Sequence, residues 1–81
     1  MHVPHELQDE FPDETRLINR LGRTNYLLRR IAGQYNETNR QIYLIESGEE
    51  PTTDEILEQL KKRRLKLKDQ IAGIFLIERR I

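Results

Sequence analysis

The sequence predicts an all-α protein: an antiparallel two-helix hairpin, coiled-coil-like, preceded by a short N-terminal helix and self-associating into a helical bundle. Three observations carry that prediction. The prolines fall at positions 4, 12 and 51, so residues 13–50 and 52–81 are free of the strongest helix breaker. Between those stretches, "ESGEEPTTDE" reads as a helix end followed at once by a helix start. On either side of that junction, apolar residues recur at alternating steps of three and four, the spacing of a helix face that meets another helix.

Taken in chain order, residues 1–12 read as a flexible acidic tail. His2 and His5, with Glu6 and Asp9 nearby, have the residue types to share a metal ion, but they lie beside Pro4 at a chain terminus, where order is least expected. A solvated tail with no metal is the expectation. Pro12 suits a first helical position, and Asp13 and Glu14 place carboxylates at the positive end of the helix dipole, so a short helix is predicted over 13–21. Gly22 then interrupts, and Thr24-Asn25 offers a fresh N-cap for a long helix over 25–46. One continuous helix through Gly22 is the competing reading, since a single glycine costs only about 1 kcal/mol. The turn spans 47–52, with Gly48 in the left-handed position and Pro51 unable to extend the helix. Thr52 and Glu55 stand in capping-box spacing and open a second long helix over 53–78.

The apolar series fixes how the long helices meet. Leu28, Ile31, Tyr35, Ile42 and Ile45 form one side of a seam; Leu57, Leu60, Leu67, Ile71 and Ile74 form the other. A tight turn pairs Ile45 with Leu57, Ile42 with Leu60, Tyr35 with Leu67, Ile31 with Ile71 and Leu28 with Ile74. In that register the two polar interruptions, Thr38 and Arg64, land in the same layer. A register chosen for the apolar residues alone thus brings the polar ones together, with Arg64 snorkelling along the seam.

Leu27, Leu65, Phe75, Leu76, Ile77 and Ile81 fall outside this seam, several of them at the open end of the hairpin. The short helix, through Leu17, Ile18 and Leu21, covers part of that surface, and a second copy of the chain is expected to cover the rest. Small size points the same way, because 81 residues rarely bury enough apolar surface unaided.

Residue types with site chemistry are scarce. There is no cysteine, one serine in the turn and two histidines in the tail, and the four glycines are scattered, so neither an enzyme nor a cofactor is expected. The longest apolar run, "IAGIFLI", is far short of the roughly 20 residues of a membrane span. With no leader pattern at its start, the chain is expected in the cytoplasm. "KKRRLKLK" at 61–68 is the strongest local charge, although 14 basic and 14 acidic residues balance over the chain. On a helix its cations encircle the axis, where a groove-reading surface would gather them on one side. Glu58 pairs with Lys62 and Asp69 lies one turn from Lys66, while the facing stretch 34–44 offers only Glu37, so the belt is not cancelled within its hairpin. Lys61, Lys62, Arg63, Lys66 and Lys68, with Leu65 and Phe75, are therefore the candidate partner surface.

The segments "HELQDEFPD", "LINRL", "IES" and above all "DEILEQLKKRRLKLKDQI" resemble the small bacterial YdcH-like proteins. That resemblance implies a bacterial, cytoplasmic helical hairpin of unestablished function, with no catalytic residues to carry over. The expected role is a non-enzymatic interaction or scaffold module that self-associates and presents a helix face to another protein. The alternative is nucleic-acid binding through 61–68, which lacks interleaved aromatic residues to stack on bases. An amphipathic membrane-surface role for "IAGIFLIERRI" is the third option.

Overall fold

The computed structural model describes residues 7–79. Within it lie four α-helices: α1 (Leu7–Glu10), α2 (Thr15–Thr24), α3 (Tyr26–Glu46) and α4 (Asp54–Arg79), with a 3-10 turn at Pro12–Glu14. The two long helices pack on each other as a hairpin, and α2 folds back onto α3.

The turn is closed by backbone chemistry. Gly48, at φ +83°, takes the left-handed position and donates its N–H to the Ile45 carbonyl at 3.1 Å, while the Glu49 N–H reaches back to Leu44 at 3.0 Å. This pair of bonds is the Schellman closure, and a side chain on residue 48 would strain it by roughly 1–2 kcal/mol. On the far side the cap sits one residue later than the Thr52–Glu55 reading. Thr53 Oγ1 accepts the N–H of Ile56 at 3.2 Å, so α4 begins at Asp54, and Thr52 stands outside the helix.

The break between α2 and α3 falls at Asn25, with Gly22 inside α2. Asn25 is extended, at φ −105° and ψ 100°, and its Oδ1 accepts the Leu28 N–H at 3.0 Å. A residue that caps the next helix from an extended conformation ends the previous one by that same conformation; a glycine interior to a helix only weakens it.

The sequence reading assigns residues 1–12 to a flexible tail, and for 7–12 the structure corrects it; residues 1–6, including His2, His5 and Glu6, lie outside the described residues. Leu7 is buried within the core, together with Leu21, Leu28, Tyr35, Leu67, Ile71 and Phe75, and Phe11, Leu17, Ile18, Ile31, Ala32 and Ile74 pack around it. The 3-10 turn at Pro12 bends the chain so that Leu7 and Phe11 reach the hairpin, and Arg79 at the end of α4 pairs with Glu14. Phe75, expected on the partner surface, is 2% exposed: Phe11 stands edge-on to it, ring centroids 5.1 Å apart. Seven polar letters in "HELQDEFPDE" hide two apolar residues spaced four apart, which is one helical turn.

Among the seam residues, Leu28, Tyr35, Ile42, Leu67 and Ile71 are buried, while Ile31, Ile45, Leu57, Leu60 and Ile74 are half-buried. Ile81 lies outside the described residues. No helix among those described is long and apolar enough to cross a membrane.

Candidate functional site

Polar side chains converge on one flank of the hairpin, where the N-terminal arm, residues 7–24, reaches α4 through Glu10 and Phe11. Helical spacing brings Lys61, Arg64 and Lys68 to one face of α4, at steps of three and four. With Glu10, Tyr35 and Leu65 they line a cleft of about 260 Å³. Tyr35 forms its floor, 1% exposed.

The polar layer has a different membership from the Thr38–Arg64 pair expected from register. Thr38 is buried, but its hydroxyl donates to the Gln34 carbonyl of its own helix at 2.8 Å. Arg64 donates from one terminal guanidinium nitrogen to Asn39 Oδ1 at 3.2 Å. Asn39, 3% exposed, also shares a hydrogen bond with the Tyr35 hydroxyl. Threonine prefers to satisfy itself on the preceding turn, whereas asparagine carries both a donor and an acceptor beyond its own helix. Asn39 escaped the sequence reading because it sits one residue off the apolar series. Among the described residues no buried side-chain nitrogen or oxygen lacks a hydrogen-bond partner, so the layer is satisfied as built.

The basic belt is partly cancelled within its own hairpin, contrary to expectation, and the acidic N-terminal segment meets a further part of it. Lys61 pairs with Glu46 at 3.0 Å, two residues past the facing stretch 34–44. Lys68 Nζ bonds the Glu10 carboxylate at 2.9 Å and lies 6.0 Å from the centre of the Phe11 ring, so the arm brings both an acid and an aromatic face to one lysine. Glu37 instead pairs with Arg40 on its own helix. Among the described residues Lys62, Arg63 and Lys66 form no ion pair, and Leu65 is 60% exposed beside them.

Electrostatics follow from this arrangement. Burial is the main cause that pushes the Tyr35 phenol above its ordinary 10.0; the Asn39 hydrogen bond pulls the other way, and the Glu10 carboxylate adds to the rise. The hydrogen bond to Glu10 holds Lys68 above its ordinary 10.5, opposed by desolvation. The cleft thus gathers the Tyr35 phenol, the Arg64 guanidinium and the Lys61 and Lys68 amines around the Glu10 carboxylate. Both raised groups bind protons more tightly folded than unfolded. The stability they add is complete below their ordinary values and is lost as pH climbs through the raised ones. Thermal midpoints followed from neutral into strongly alkaline pH should fall steeply once those values are passed. A Tyr35→Phe/Lys68→Met double variant should fall less steeply; an identical alkaline slope would disprove the linkage.

No curated protein and no solved structure matches the sequence. A family model does match, over residues 28–75, from the first buried residue of α3 to the last of α4, with the arm outside it. With the hairpin and more than half of the chain covered, this protein belongs to the family described as Protein of unknown function (DUF465), the family of the YdcH-like proteins.

Proposed function

We propose that the chain is a non-enzymatic helical interaction module of the bacterial cytoplasm that self-associates and engages other proteins through its helix faces. The observation that carries this reading is the apolar surface left at the open end of the hairpin after the arm has docked. Tyr26 is 69% exposed, Leu27 54%, Leu76 52% and Ile77 62%, and all four stand in the first turn of α3 or the last turns of α4. Large side chains gathered at one end of a small protein mark a contact surface. A four-helix arrangement of two hairpins is the simplest assembly that covers them.

Sedimentation from micromolar to millimolar concentration tests this. The wild type should form dimers or larger closed species, and a Leu76→Glu/Ile77→Glu double variant should stay monomeric with its helix content intact. A wild type that remains monomeric throughout would remove the self-association.

Nucleic-acid binding is the weaker reading. Lys61 and Lys68 are engaged by Glu46 and Glu10 and Arg64 by Asn39, which leaves Lys62, Arg63 and Lys66 to meet phosphates. Affinity that falls steeply with salt and vanishes when Lys61, Lys62, Lys66 and Lys68 become glutamine would favour it.

A further inference from the structure

From Thr15 to Glu46, Asn25 is the one residue outside a helix. Its backbone is nonetheless already bonded as in a continuous helix. The Asn25 N–H donates to Leu21 O at 2.7 Å, and Asn25 O accepts from Arg29 N at 3.2 Å, both four-residue steps. What breaks the helix is the extended pair of dihedrals at this single position. Rotating them to helical values would give the first N–H groups of α3, which have no helical partner now, the carbonyls of α2's last turn. It would cost the side-chain cap on Leu28. No proline stands between residues 15 and 46 to oppose the change.

Everything that holds the arm to the hairpin lies on the N-terminal side of this hinge: Leu7, Glu10, Phe11, Glu14 and the apolar face of α2. A straightened chain lifts all of it away together and uncovers Phe75 and Lys68. A second copy in the same state presents the same uncovered surface and the same arm, so each copy is already the fitting ligand of the other.

We infer that two copies exchange their 7–24 arms by straightening at Asn25, seating Glu10 and Phe11 of one copy on Lys68 and Phe75 of the other. This deepens the self-association proposed above and rests on it. The exchange re-forms every arm contact, so the hinge and the concentration set the balance between closed monomer and exchanged dimer. The open ends meet in such a dimer, where Tyr26, Leu27, Leu76 and Ile77 are exposed.

The Glu10–Lys68 ion pair supplies the test, because a carbodiimide condenses a carboxylate and an amine in contact into an amide. Isotopically light and heavy copies are mixed, allowed to equilibrate, cross-linked and read by mass spectrometry alongside sedimentation. The expected result is a Glu10–Lys68 cross-link joining a light to a heavy peptide, growing with protein concentration. Asn25→Ala removes the cap that only the closed form uses and should tighten the dimer about thirtyfold, taking about fivefold at each of two hinges. Tyr26→Pro should have the opposite effect. Proline is tolerated at the first position of α3 and keeps Asn25 extended, but inside a continuous helix it should weaken the dimer on the order of a hundredfold or more. Dimers that carry only light–light and heavy–heavy cross-links would overturn the exchange and leave self-association standing. So would a Tyr26→Pro variant that dimerises like the wild type. A chain that stays monomeric even with Asn25→Ala would overturn both.

Discussion

Replacing Phe75 by alanine is expected to cost about 3–5 kcal/mol, the range for removing a fully buried aromatic ring. An 81-residue chain holds only about 4–12 kcal/mol in total, at roughly 0.05–0.15 kcal/mol per residue, so this one change should consume a quarter of it or more. The loss has two parts: the packing of the ring in the core that also holds Leu28 and Ile71, and the edge-to-face partner taken from Phe11. Leu76 is the control. It stands one residue along the same helix and is 52% exposed, so Leu76→Ala should move stability by no more than about 0.5 kcal/mol. Urea unfolding followed by circular dichroism separates the two. If both variants unfold at the wild-type midpoint, the arm does not cover Phe75 and the core is not where it is described.

Asn39→Leu should cost about 2–3 kcal/mol, although it exchanges a polar buried residue for an apolar one of similar size. The side chain that remains apolar strands two groups: the Tyr35 hydroxyl, on a residue 1% exposed, and the Arg64 guanidinium it had accepted from. An unpaired buried donor costs about 1–3 kcal/mol. The companion change carries the more pointed expectation. Asn39→Leu/Arg64→Met replaces the cross-helix polar pair by an apolar one and should recover part of that loss, since removing both partners is far milder than removing one. A double-mutant cycle with no coupling between positions 39 and 64 would show that the two side chains act independently.

Much of the hairpin was legible because its determinants are local or periodic. Gly48 and Pro51 mark the turn by what their backbones permit, and a series of apolar residues at helical steps says which faces meet. Errors arose where one rule had to be weighed against another. Gly22 was the more visible helix breaker, yet the stronger signal was Asn25, which gains a hydrogen bond by breaking the helix where a glycine gains none. Thr52 fitted the capping box with Glu55; Thr53 won because a cap is chosen by the path of the incoming turn, which no spacing encodes. In the polar layer Arg64 bonds Asn39, one residue from the Thr38 that register picked, since apolar periodicity carries no information about which polar group faces across. The arm was the largest miss. Its two anchoring residues, Leu7 and Phe11, are surrounded by acids, and only the uncovered Phe75 on the far helix explains why they fold back.

The placement of the core has a consequence for how the two long helices are held together. Leu28, Tyr35, Ile71 and Phe75 are all in the half of the hairpin away from the turn, and near the turn Ile42 is the fully buried apolar residue. Cohesion is therefore concentrated at the end where the helices are not covalently joined. The turn acts chiefly as a tether that raises the effective concentration of one helix for the other. Cut between residues 47 and 53, the molecule would keep nearly all of its buried contacts, with the N-terminal piece carrying the arm and α3 and the C-terminal piece α4. In that sense it is a complex of two peptides that share one chain.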